Sequence, residues 1–151
     1  MDAKKILLVE DSRKDVDLTL SALEEHNLAN EVVVTRNGVE ALDYLYRRGD
    51  FADRPNGHPV VVLLDLKMPK MDGLEVLRHV KSDADLKRVP IVVLTSSREE
   101  QDIVKSYDLG VNAYVVKPVA FENFIDVVKQ LGLFWVITNQ APPAASRSVA
   151  I

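Results

Sequence analysis

Short apolar runs alternate with helix-periodic stretches about five times along this chain. Residues 6–9 (ILLV) read as a first strand, and in residues 12–25 Val16, Leu20 and Leu23 recur at the spacing of one helix face. Residues 31–35 predict a second strand, followed by a helix marked by Ala41, Leu42 and Leu45. Residues 59–64 are almost wholly apolar, as a central parallel strand must be when helices cover both of its faces. Leu74, Leu77 and Val80 describe a third helix, residues 91–94 a fourth strand and residues 99–109 a fourth helix; strand 113–116 and helix 121–131 complete the series. Such alternation requires right-handed crossovers, so the expected fold class is α/β, a doubly wound parallel sheet of five strands.

Composition narrows the function. At 151 residues and 47% hydrophobic, the chain suits one domain with a full core. A net charge of -4 leaves no basic footprint for nucleic acid, which is not expected as a partner. The absence of cysteine excludes disulfides, thiolate nucleophiles and thiolate metal sites. The first apolar run stops at Glu10 and is too short for a secretory signal, and no run reaches membrane-spanning length. The protein is expected to be cytoplasmic, with no membrane partner.

The candidate chemistry lies at the ends of the apolar runs. Glu10 and Asp11 follow the first run, Asp65 the third, Thr95 the fourth, and Lys117 with Pro118 the fifth. In parallel α/β sheets ligands bind beyond the carboxyl ends of the strands, where these residues would converge. Three carboxylates brought within a few ångströms repel by roughly 4 kcal/mol per close pair at an effective dielectric near 20. Such a cluster invites a cation, and oxygen-only ligands favour Mg2+, which keeps waters and phosphate oxygens in its shell. Asp11 and Asp65 are the expected direct ligands, with Glu10 acting through water and Lys67 supplying its backbone carbonyl. Asp65 can also attack a phosphoryl group as a nucleophile, and the Lys117 ammonium can neutralise the charge that develops. Pro118 is a candidate for a cis peptide bond. Taken singly, these residues have plainer readings: Glu10 and Asp11 could complement a helix dipole, Asp65 could begin a turn, and Ser97 with Glu100 has capping-box spacing. Their joint placement at four strand ends favours phosphorylation.

Residues 6–11, 63–73 (LLDLKMPKMDG), 91–96 (IVVLTS) and 110–118 (GVNAYVVKP) together resemble the receiver domain of two-component response regulators. The resemblance implies the flavodoxin-like strand order 2-1-3-4-5, a receiver domain over residues 1–131 and phosphohistidine on a sensor histidine kinase as donor. It also implies a switch: the Thr95 hydroxyl turns to the phosphoryl group and Tyr114, three residues before Lys117, fills the vacated space. The output surface would then comprise the 99–109 helix, the fifth strand and the last helix. Aspartyl phosphatases place a second aspartate two residues after the nucleophile; here that residue is Lys67, so a turnover enzyme is not expected. A phosphorylation-independent scaffold for protein interaction is the alternative, although a scaffold has no need to concentrate negative charge.

Two segments go beyond the minimal pattern. Residues 49–58 (GDFADRPNGH) form a long polar connection entering the third strand at its amino end, so an exposed loop opposite the acidic cluster is expected. Residues 132–151 begin with an apolar stretch and end in a Pro/Ala/Ser-rich tail. Phe134 and Trp135 are candidates for a homodimer interface, since aromatic patches are normally covered. This extension and the mid-chain loop resemble single-domain regulators paired with bacterial and cyanobacterial phytochrome kinases, which implies a light-sensing kinase as partner.

Overall fold

The computed structural model describes residues 5–24, 31–55, 57–96, 111 and 113–132. Five strands, β1 (Ile6–Val9), β2 (Val32–Thr35), β3 (Val61–Asp65), β4 (Ile91–Thr95) and β5 (Ala113–Val116), pair in the order β2-β1-β3-β4-β5. Every pairing is parallel. Helices α1 (Arg13–Glu24), α2 (Gly38–Tyr46), α3 (Gly73–Ser82) and α4 (Phe121–Gln130) flank the sheet. The doubly wound α/β fold and the strand order expected from the sequence are those of the protein. The helix expected over residues 99–109 lies outside the described residues.

The unbroken apolar runs are explained by what each strand face meets. Ile6, Leu8, Leu63, Val92 and Val115 pack with Val16 and Leu23 of α1 and with Phe124 and Val128 of α4. Their alternate neighbours Leu7, Val9, Val62, Leu64 and Val93 pack with Ala41, Leu42 and Leu45 of α2 and with Val76, Leu77 and Val80 of α3. Successive side chains on a strand point to opposite faces, so a strand between two helical layers must be apolar at every position. β2, at the sheet edge, is only half-buried over its first three residues. Burying a core side chain such as Phe124 contributes about 1.5–3 kcal/mol.

Local capping fixes where the helices begin. Asn37 accepts the Glu40 amide at 2.9 Å, while the Glu40 carboxylate accepts the Arg36 amide at 3.2 Å, a reciprocal arrangement that starts α2. Asp72 caps α3 by accepting the Glu75 amide at 3.0 Å. Ser12 plays the same part for α1, its hydroxyl oxygen accepting the Asp15 amide at 3.3 Å.

The polar 49–58 segment does lie at the amino end of β3, but it is not a plain loop. It opens with a 3-10 turn at Gly49–Phe51. The Arg54 guanidinium donates to the carbonyls of Tyr44 (2.6 Å), Pro55 (2.9 Å) and Gly57 (2.8 Å), and sits 4.2 Å over the Tyr44 ring. The guanidinium also reaches the Leu45 carbonyl at 3.4 Å, so it gathers two of the last carbonyls of α2, of which that of Tyr44 also accepts the Arg47 amide. A cleft of about 380 Å³ lined by Tyr46, Arg47, His58, Asp83 and Asp85, among others, opens beside this segment, at the far end of the sheet from the acidic cluster.

Candidate functional site

The parallel registers bring the carboxyl ends of the strands to nearly one level. Val9 pairs with both Thr35 and Leu64, Asp65 with Leu94, and Thr95 with Val116. Asp65 and Thr95 are therefore the last residues of their strands, each strand running one position beyond the end expected from the sequence, and each completes a rung with its neighbour. Beyond this level the chain turns into the helices, and there the candidate side chains gather.

Glu10, Asp11 and Asp65 each offer an oxygen within 4.8 Å of the others, with Glu10 and Asp65 buried and Asp11 exposed. Lys117, just past β5, reaches across them. Its Nζ lies 3.0 Å from Glu10 Oε1, 3.1 Å from Asp65 Oδ1 and 3.0 Å from Asp15 Oδ2 on the first turn of α1. The Lys117 amide donates to the Thr95 carbonyl at 2.7 Å, which holds the lysine backbone against β4. The following Lys117–Pro118 peptide is cis. The Ser12 amide donates to Glu10 Oε2 at 3.2 Å, so both oxygens of this acid are engaged.

Burial sets the electrostatics. It pushes the Glu10 carboxyl up to about 7; the Lys117 hydrogen bond opposes this rise and the Asp65 charge adds to it. Burial likewise raises Asp65, against the pull of Lys117. For Lys117, burial acts to lower the ammonium, but the hydrogen bonds to Glu10 and Asp15 and the charge of Asp65 outweigh it, so the group stays protonated well above its ordinary range. The cluster thus holds more negative charge than one lysine neutralises. Glu10 and Asp65, whose ionisation burial disfavours, together with Asp11 beside them suit a hard divalent cation, with no nitrogen or sulfur donor in the set.

The loop from β3 to α3 is held by two close approaches. The Gly73 amide donates to the Leu66 carbonyl at 2.8 Å, and the Gly38 amide to the Met71 carbonyl at 3.1 Å. A Cβ on Gly73 would lie 2.5 Å from the Asp65 carbonyl oxygen, and one on Gly38 would lie 2.3 Å from that of Met71. Neither glycine has positive φ, so the constraint is space and not backbone conformation. Tyr114 is half-buried and packs against the core face shared with α2 and α3, while Thr95 is fully buried. His79 is exposed on α3, and His58 pairs with Asp85 at 3.0 Å, away from the cluster. Phe134, Trp135 and Ser97 lie outside the described residues. Among the described residues no helix is long and apolar enough to cross a membrane.

Asp15 and Gly38 carry the geometry of the site without having been singled out for it in the sequence, whereas Gly73 closes the 63–73 motif. For Asp15 a signal exists: it stands four residues after Asp11 in the first turn of a helix that begins at a strand end, so it is carried back over that end. Gly38 carries no such signal, because close approach is a property of two segments.

The family model for the response regulator receiver domain matches residues 6–129. The response regulator Rcp1 of Synechocystis sp. is 40% identical over 141 residues, covering 93% of this chain and 95% of its own length. A solved structure of the bacteriophytochrome response regulator AtBRR is 60% identical with a TM-score of 0.86, covering 89% of this chain and 96% of that one. The phosphorylated cyanobacterial phytochrome response regulator RcpA is 43% identical with a TM-score of 0.71, covering 95% and 100% of the two chains. The Mn2+-bound form of Rcp1 is similar at a TM-score of 0.70 and 39% identity, covering 93% of this chain and 99% of that one.

Proposed function

The chain belongs to the response regulator receiver domain family, and on that premise we propose that it accepts a phosphoryl group on Asp65 from a sensor histidine kinase. The observation that carries this reading is the position of Asp65: a buried carboxylate 3.1 Å from the Lys117 ammonium and within 4.8 Å of two further carboxylates. A carboxylate oxygen of Asp65 attacks phosphorus, an O–P bond forms, and the N–P bond of the donor phosphohistidine breaks as the imidazole nitrogen takes up the electron pair and a proton. Lys117 is placed to pair with a phosphoryl oxygen and to offset its charge. Asp11 and Asp65, with the Lys67 carbonyl and with Glu10 through water, would hold Mg2+. When bound, the ion supplies charge neutralisation for the phosphoryl oxygens. Glu10 keeps Lys117 aimed into the site through its 3.0 Å bond.

Residues 1–131 act as the receiver and residues 132–151 as an extension that, with Phe134 and Trp135, joins two copies of the chain. Phosphorylation is relayed through Thr95 and Tyr114 to the surface that includes β5 and α4, biasing a two-state element. The half-burial of Tyr114 supports this reading, because a ring at the boundary between core and solvent can change its burial by turning. Similarity to the phytochrome regulators makes a light-sensing kinase the proposed donor. The role is signalling, with one phosphoryl group held per chain.

The test is the intact mass and light-scattering mass of wild type and Asp65→Asn, with Mg2+, before and after acetyl phosphate. A Mg2+-dependent phosphate adduct, absent from the variant, is expected in the wild type. A folded wild type that binds Mg2+ yet gains no phosphate from either acetyl phosphate or a phosphorylated phytochrome kinase would favour the scaffold instead.

A further inference from the structure

Lys117 is held by two hydrogen bonds, to Glu10 and Asp15 at 3.0 Å each, and by an ion pair with Asp65 at 3.1 Å. A phosphoryl oxygen on Asp65 must compete for this ammonium with the carboxylates that already hold it. The three partners are not equivalent. Glu10 is 1% exposed, and a carboxylate left unpaired at that depth is costly. Asp65 itself bears the phosphoryl group. Asp15 is 31% exposed, so water can take the place of the ammonium there. Asp15 also sits in the first turn of α1, with its amide tied to the Ser12 hydroxyl, where the helix dipole continues to favour its negative charge after the lysine has gone.

We propose that Asp15 is a positioning residue, a resting-state counter-ion that holds Lys117 until a phosphoryl oxygen displaces it and thereby slows phosphoryl acquisition by Asp65. This deepens the reading of Asp65 as phosphoryl acceptor and rests on it. Part-exposed ion pairs are typically worth up to about 1 kcal/mol, so releasing Lys117 in Asp15→Asn should speed acquisition about two- to fivefold.

The experiment measures the rate of phosphate adduct formation from acetyl phosphate at saturating Mg2+, in full-length protein whose folding is checked by thermal melting. Wild type, Asp15→Asn, Asp15→Glu, Lys117→Gln and the Asp15→Asn/Lys117→Gln double variant are compared. The proposal expects Asp15→Asn to be faster, Asp15→Glu to return towards wild type, and the effect of Asp15→Asn to vanish when Lys117 is absent. The same acceleration without Lys117 would mean that removing any negative charge helps the anionic donor, and the proposal would be overturned. An Asp15→Asn rate equal to or below wild type overturns it as well. If Lys117→Gln takes no measurable phosphate, the Lys117 ammonium resonance of unphosphorylated wild type and Asp15→Asn decides: a shift supports the contact, and an unmoved resonance removes it. A wild type that takes no phosphate from acetyl phosphate or from a kinase marks failure of the acceptor reading itself, distinct from a wild type that reacts at the same rate as Asp15→Asn.

Discussion

Replacing Gly73 with alanine tests how tightly the start of α3 is locked to the end of β3. The added Cβ would lie 2.5 Å from the Asp65 carbonyl oxygen, 2.7 Å from Leu66 Cα and 3.2 Å from the Asp65 carbonyl carbon. All three are backbone atoms, so no flexible side chain can swing aside. Restoring the nearest contact from 2.5 Å to an ordinary 3.4 Å requires a shift of about 0.9 Å between helix and strand. Such a shift also carries the 2.8 Å bond from the Gly73 amide to the Leu66 carbonyl beyond hydrogen-bonding reach. Overpacking at about 1–3 kcal/mol and the lost bond at about 1 kcal/mol together predict a loss of roughly 2–4 kcal/mol, despite the better helix propensity of alanine. That is a large share of the roughly 5–15 kcal/mol that stabilises an ordinary domain. Urea unfolding should show a lower midpoint with an unchanged slope. Because the shift falls on the backbone of Asp65, phosphate uptake at saturating Mg2+ should fall by about 10- to 100-fold, the scale of effect expected of a 1 Å misplacement of a reacting group. An alanine variant within about 0.5 kcal/mol of wild type, with an unchanged rate, would show that α3 can retreat freely and would refute the reasoning.

Three further outcomes follow from the electrostatics and the far loop. Glu10 has a folded-state value of about 7 against an ordinary 4.5; a carboxyl raised in this way adds stability at acid pH that is lost as pH climbs through that window. Metal-free protein should therefore lose up to about 3 kcal/mol between pH 4.5 and 7, read from urea midpoints, while apparent Mg2+ affinity by calorimetry rises over the same range and levels off above it. Asp65→Asn should raise the melting temperature of the metal-free protein at neutral pH by a few degrees, since the charged form of Asp65 is disfavoured by burial; an unchanged or lower melting temperature would count against that ordering. Arg54→Ala should cost about 1–3 kcal/mol through four lost carbonyl partners and the Tyr44 stacking, yet leave the phosphate uptake rate unaltered, because the loop stands at the opposite strand ends.

The sheet was legible because strands buried on both faces leave a continuous apolar signature, and the helices between them leave a periodic one. The edges of that signature were less sharp. Asp65 and Thr95 are polar, so they read as residues after a strand; whether they pair depends on Leu94 and Val116 in neighbouring strands, which the local pattern does not encode. The acidic cluster was legible for a different reason: charged residues ending apolar runs are unusual enough, taken together, to suggest a common destination. Asp15 was hidden by its ordinary place in the first turn of a helix, where an acid is explained by the dipole alone. Arg54 was hidden because its partners are carbonyls, which every residue has.

The level alignment of the strand ends has a consequence for how the protein comes into being. Glu10, Asp65 and Lys117 arrive on three strands spread over most of the chain, and no local segment holds two of these strand ends in place by itself. During synthesis the cluster cannot be completed until β5 has emerged and docked on β4, because Lys117 follows that strand. Afterwards, any ligand that bridges the three groups is a clamp on the whole sheet, and its binding energy becomes resistance to unfolding. On the proposed reading, a phosphoryl group held at this one level therefore also reports that the sheet is fully assembled.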